Sequence, residues 1–93
     1  MIKTFANQET AALFARRPAR RFGTDWVRVA QRKLDQLHAA TRLDFLRVPP
    51  GNRLEALSGN RAGQHSIRIN DQWRICFEWR DGNAWNVEVV DYH

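Results

Sequence analysis

Residues 65–93 read HSIRINDQWRICFEWRDGNAWNVEVVDYH, and their alternation decides the fold. Three runs, HSIRI (65–69), WRICFEW (73–79) and AWNVEVV (84–90), alternate apolar and polar residues with period two, the pattern of half-buried strands. Residues opposite each other on paired strands point to the same face. A slip of one residue would expose the whole apolar set. Parity therefore selects the loops. A three-residue loop Asn70-Asp71-Gln72 sets Ile69 against Trp73 and Ile67 against Ile75. The same test on the next hairpin selects Asp81-Gly82-Asn83, setting Trp79 against Trp85, Phe77 against Val87 and Ile75 against Val89. One face is then expected to be a wall of Ile67, Ile69, Trp73, Ile75, Phe77, Trp79, Trp85, Val87 and Val89.

The opposite face gathers the chemistry. In this register Arg68 lies opposite Arg74, Gln72 lies opposite Tyr92, and Arg74 is diagonal to Tyr92, within reach of long side chains. Asp91 and His93 share that strand end. Two arginines directly opposite repel, so Glu78 or Glu88 is expected to offset them, or an anion to bind between them. Asp91 falls on the core-facing parity and needs a local twist or bulge to act beside His93.

Outward from the sheet, RLEAL (53–57) is a short strand candidate before the turn SGNRAG (58–63), and VPPGN (48–52) is a rigid turn. The N-terminal half is helical. IKTF (2–5) is a brief β candidate, and NQETAALFA (7–15) a short helix capped by Asn7. Pro18 breaks any helix in the basic stretch RRPARRF (16–22). Thr24 is placed to cap a longer helix, DWVRVAQRKLDQLHAAT (25–41). There Val27, Ala30, Leu34 and Leu37 form one buried stripe, with Arg28, Arg32 and Asp35 off it. Two helices covering one face of an antiparallel sheet make an α+β domain. His38 reads as helix surface, His65 as strand edge and Cys76 as an inert strand residue.

Ninety-three residues allow a single domain, 1–93, which buries about 60–65% of its unfolded surface. The hydrophobic content is 43% with four tryptophans, enough for a core without staples. One cysteine permits no internal disulfide, no run approaches the ~20 apolar residues of a membrane span, and the first residues lack a secretory h-region. A soluble cytoplasmic protein without a membrane role is expected. No His/Cys spacing indicates zinc, so no metal or cofactor is expected.

The net charge is +5, and thirteen of the fifteen cations are arginine. Residues 1–47 hold ten Lys/Arg against four Asp/Glu, whereas residues 48–93 hold five against six. That imbalance points to a polyanion gripped mainly by the N-terminal half. Arg20 and Arg21 in RRPARRF are candidates for contact with the phosphates of such a polyanion; a linker shaped by a partner protein is the other reading of that stretch.

PPGNRLEALSGNRAGQHSIRINDQWRICFEW (49–79) followed by VEVVDYH (87–93) closely resembles the HigB toxins, a branch of the RelE/ParE toxin superfamily. The resemblance runs from MIKTFA to His93 and implies a compact RelE-like fold. It further implies an mRNA interferase that enters the A site of the 70S ribosome and cuts mRNA without metal, leaving a 2′,3′-cyclic phosphate and a 5′-hydroxyl. It implies a HigA-type helix-turn-helix antitoxin as partner, with operator DNA reached only through that antitoxin. His93 is the residue expected to do acid/base work, its type titrating near pH 6.5. As the last residue it would carry a free α-carboxylate, favouring the imidazolium and repelling phosphate. Asp91 would orient His93, Tyr92 would stack on a base, and Arg74 would stabilise transition-state charge. A structural ion pair with Glu88 or Glu78 is the alternative for Arg74. Arg61 and Arg68 are expected to touch phosphates. Some HigB relatives carry a lysine where this chain has Ser58, which leaves the division of acid and base roles open. The competing readings are a ParE-like gyrase poison, against which DYH argues, and a basic RNA-binding module without catalysis.

Overall fold

A computed structural model describes residues 1–18, 22–23 and 25–92. The cap expected at Thr24 lies outside the described residues. Helices α1 (Gln8–Phe14) and α2 (Val27–Ala39) precede strands β1 (Glu55–Ala56), β2 (Gln64–Arg68), β3 (Trp73–Arg80) and β4 (Asn83–Asp91). The strands form an antiparallel sheet in the order β1-β2-β3-β4. Short 3₁₀ turns occupy Leu43–Arg47, Pro50–Asn52 and Gly59–Arg61.

Asn7 caps α1 as expected, its Oδ1 accepting from Thr10 N at 2.8 Å. At the other end, Arg17 N donates to Ala12 O and Arg16 N to Leu13 O, with Arg16 left-handed at φ 59°. Those paired bonds are a Schellman stop, followed by Pro18, which cannot continue the helix. Along α2, Ala30, Leu34 and Leu37 are fully buried, as the stripe requires. They pack with Leu13, Leu46, Ile67, Ile75, Phe77, Val87 and Val89 in one core between the helices and the sheet. Phe22, Trp26 and Trp73 close one end of it as an aromatic cluster, Trp26 and Trp73 stacked at 4.7 Å.

The first hairpin has the expected register, with Ile67 opposite Ile75 and Arg68 opposite Arg74. The second differs. Its loop is the two-residue Asp81-Gly82, Arg80 faces Asn83, and Trp79 faces Ala84, not Trp85. Both loop residues have positive φ, 53° and 74°, the backbone of the type I′ turn that Asp-Gly favours. A bulge between Cys76 and Glu78 then restores the expected register, so that Cys76 faces Glu88, Ile75 faces Val89 and Arg74 faces Val90. Asn86 takes the left-handed backbone at this bulge (φ 52°). Its amide donates to Thr4 Oγ1 at 2.8 Å, and its side chain donates to Glu78 Oε2 at 2.5 Å.

The shift replaces Trp85 in the expected wall by its neighbour Ala84. Ala84 is buried, whereas Trp85 is only half-buried, with the Arg80 guanidinium 4.6 Å from its ring centroid. The IKTF segment forms no continuous strand. Ile2 and Phe5 make isolated parallel bridges to Ala84 and Val87, because the bulge interrupts the β4 edge between them. His38 is tied in rather than free on the surface: its Nδ1 accepts from Ile2 N at 3.1 Å. His65 lies on β2, interior to the sheet, and its Nδ1 is buried without a hydrogen-bond partner.

Asn52 holds the turn before the sheet. Fully buried, it donates to Gln36 Oε1, Leu46 O and Val48 O, and accepts from Lys33 Nζ. Asn52→Ala leaves the Leu46 carbonyl without this donor, which costs about 2 kcal/mol and lowers Tm by roughly 8–16 °C in a domain of this size. Thermal unfolding checks it; a Tm within 1 °C of the parent would mean that water replaces the amide.

Candidate functional site

The site grows from the turn that follows Asn52. Arg53 is left-handed (φ 46°), which swings its carbonyl toward β3. There it accepts from the Arg74 Nη2 at 2.8 Å, while the Arg74 Nε donates to Ser66 Oγ at 2.8 Å. The Arg74 Nη2 is also 3.6 Å from Glu55 Oε1. Arg74 is only 8% exposed. An ion pair with Glu78 or Glu88 is therefore not what holds it. Its two hydrogen-bonding anchors are neutral, and the carboxylate paired with it is Glu55, whose side chain is more than half exposed at the cleft.

Arg74 lines a cleft of about 320 Å³ with Arg53, Glu55, Arg68, Asp71 and Tyr92. The strand pairing thus brings Arg68, Arg74 and Tyr92 together, as parity requires. Tyr92 is fixed at three places. Its amide donates to Gln72 O, its ring centroid lies 5.8 Å from the Arg74 guanidinium carbon, and its phenol interacts with the Cys76 side chain. Burial first, and Cys76 second, pushes the Tyr92 phenol above its ordinary pKa. Burial likewise raises the Cys76 thiol. Both stay protonated at neutral pH, so neither supplies an anionic nucleophile or base.

Arg68 pairs with Asp71, not with the glutamates expected to offset it. The Asp71 side chain is fully exposed, which makes the pair weak and easily exchanged for a phosphate. Arg61 stands apart from this cleft: its Nη1 donates to Gln64 Oε1 at 3.0 Å and Glu88 Oε1 at 3.3 Å. It remains close enough to Tyr92 and Cys76 to act on both electrostatically. Ser58 flanks the Gly59–Arg61 turn and makes no side-chain cap bond. Asp91 is exposed, opposite Trp73, and accepts from Gln72 Nε2 at 3.1 Å. The bulge expected beside Asp91 is instead four positions up β3 from Trp73, at Phe77. His93, Arg20 and Arg21 lie outside the described residues. Among the described residues no three His, Cys, Asp or Glu side chains converge as a metal site, and no helix is long and apolar enough to cross a membrane.

Sequence reasoning missed Arg53, Glu55 and Ser66. Ser66 was within reach of it, because on β2 it lies opposite Cys76 and hence diagonal to Arg74. Arg53 carried no such signal, since it contributes a backbone carbonyl through a left-handed turn.

Comparisons with known proteins agree with this architecture. The YoeB-YefM complex from Staphylococcus aureus contains a chain that superposes with a TM-score of 0.62, covering 100% of this chain and 98% of that one at 15% identity, a likeness of fold. Toxin HigB-1 of Vibrio cholerae is 54% identical over 62 residues, 67% of this chain and 64% of that protein, so the match spans just under two thirds of the relative's length. Endoribonuclease HigB of Proteus vulgaris is 29% identical over 93 residues, all of both chains. A family profile described as the RelE-like toxin of type II toxin-antitoxin system HigB matches residues 3–93. An antiparallel sheet of RelE-like form, backed by two helices and matched to that profile almost end to end, places the chain in the HigB family of RelE-like toxins.

Proposed function

We propose that this toxin is an endoribonuclease that cleaves mRNA in the ribosomal A site without a metal ion. The observation that carries the reading is Arg74: a guanidinium hydrogen-bonded to two neutral acceptors, with exposed Glu55 as its ion-pair partner, at the wall of a cleft that also presents Arg68 and the Tyr92 ring. Fixed donors aimed at developing charge are worth most where they need no reorganisation. The name and full-length match of the Proteus vulgaris relative support ribonuclease chemistry over gyrase poisoning.

In this mechanism the RNA 2′-hydroxyl attacks the adjacent phosphorus as a base takes its proton. The P–O5′ bond breaks as an acid protonates the leaving oxygen, and the products are a 2′,3′-cyclic phosphate and a 5′-hydroxyl. His93, the residue after Tyr92, serves this acid/base chemistry and Asp91 orients it. Arg74 carries the phosphorane charge, Arg68 exchanges Asp71 for a phosphate oxygen, and Tyr92 stacks on an unpaired base. Arg61 adds positive potential behind Tyr92, and Arg20 and Arg21 hold ribosomal RNA. A HigA-type helix-turn-helix antitoxin neutralises the toxin, and the pair reaches operator DNA through that antitoxin. Membership of a type II toxin–antitoxin family supports a protein antitoxin.

The test is a translation extract. Cuts should fall within translated reading frames and disappear from a transcript whose initiation is blocked. Chelation by EDTA should not slow cleavage once ribosomes are held intact by a separate magnesium control. Equal cleavage of naked RNA would overturn the ribosome requirement, and intact mRNA with broken DNA would favour the gyrase reading.

A further inference from the structure

A second groove adjoins the cleft and shares Arg68 with it. It runs between α2 and the Pro50–Asn52 turn, encloses about 460 Å³, and is lined by Arg32, Lys33, Gln36, Asn52 and Arg68 among others, none of them acidic. The Lys33 ammonium is aimed by a buried device. Asn52 has its amide nitrogen fixed on Gln36, Leu46 and Val48, so its oxygen presents at one position, where Lys33 Nζ donates at 2.5 Å. Burial first, then the Arg68 and Arg32 guanidiniums, hold Lys33 below the ordinary lysine range. Of these three cations Arg68 has a carboxylate partner, Asp71, which lines the cleft and not the groove. The groove lining itself supplies none, and an anion entering it relieves the repulsion among them.

We infer that this groove is a second phosphate subsite, taking the backbone of single-stranded RNA that continues beyond the scissile nucleotide. Lys33 and Arg32 clamp one phosphate, and Arg68 bridges to the phosphate in the cleft. This rests on the endoribonuclease reading and extends it from one nucleotide to a strand with a defined path. Affinity for RNA should therefore depend on length through residues that take no part in the chemistry.

The test uses 2′-O-methyl RNA, which cannot be cleaved, as a trinucleotide that occupies the cleft and a nonanucleotide that reaches the groove. Binding is measured by fluorescence anisotropy across a salt series for the full chain and its Arg32→Gln/Lys33→Gln double variant. For the nonanucleotide, the double variant should bind at least tenfold more weakly, with the log–log salt slope reduced by roughly 0.7, the contribution of the one phosphate that the pair neutralises. Trinucleotide affinity should stay within twofold. Lys33→Arg, which keeps the charge, should recover most of the binding, and thermal unfolding confirms that each variant is folded. An unchanged nonanucleotide slope, or equal losses at both lengths, overturns the inference. So does loss of antitoxin binding with RNA binding intact, which would give the groove to a protein partner. Failure of the endoribonuclease reading shows separately, as transcripts left whole by the parent chain in a translating extract.

Discussion

His93→Gln abolishes growth arrest and lowers transcript cleavage by roughly 10²–10⁴-fold, the range that positioned acid/base groups contribute. Glutamine keeps hydrogen-bonding capacity at similar size, yet it cannot take a proton from a 2′-hydroxyl or return one to a 5′-oxygen. The fold should tolerate the change. The strand pairing reaches Tyr92, whose amide is bound by Gln72 O. Circular dichroism, thermal unfolding and antitoxin co-purification should therefore match the parent, while transcript mapping and colony formation diverge. A fully toxic His93→Gln chain would place the proton transfers elsewhere and leave Arg74 and Tyr92 as a binding surface.

How much of this was legible depended on whether a residue acts through its side chain within a repeating pattern. Ile67, Ile75, Phe77, Val87 and Val89 were readable because period two admits one apolar face, and all five are fully buried. The Arg68–Arg74 pair and the nearness of Tyr92 followed from the same parity. The second hairpin misled because parity assumed an uninterrupted ladder. Asp81-Gly82 demanded a two-residue turn while Ile75 and Val89 demanded the longer register, and the bulge at Asn86 satisfies both. A conflict between turn chemistry and strand parity is thus a readable signature of a bulge. Trp85 was assigned to the wrong face as its direct consequence. Partners far along the chain left no local trace: Arg61 with Glu88 and Arg74 with the Arg53 carbonyl are joined only by the completed fold.

Arg74 carries the second large effect, and it must be separated from the part Arg74 plays in stability. Arg74→Ala should cut transcript cleavage by about 10²–10³-fold, the scale of removing one fixed donor from a developing anion. It also strips Ser66 Oγ and the Arg53 carbonyl of their donors. Ser66 is fully buried, and the loss should cost about 1–3 kcal/mol of stability. Rates must therefore be compared where the variant is folded. Arg74→Lys isolates the chemistry. Lysine keeps the charge, but its ammonium cannot serve Ser66 and Arg53 at once while presenting a planar fork to phosphate. RNA binding should fall only a few-fold while cleavage stays below a tenth of the parent rate. Ser66→Ala provides the converse, since it retains the guanidinium and removes one of its anchors. If immobilisation is what makes Arg74 effective, Ser66→Ala slows cleavage several-fold with RNA affinity unchanged. Full activity in Arg74→Ala would return this arginine to a structural strut between β2 and the Arg53 turn. Loss in Arg74→Ala with full activity in Arg74→Lys would mean that charge alone, and not its fixed geometry, is what the reaction needs.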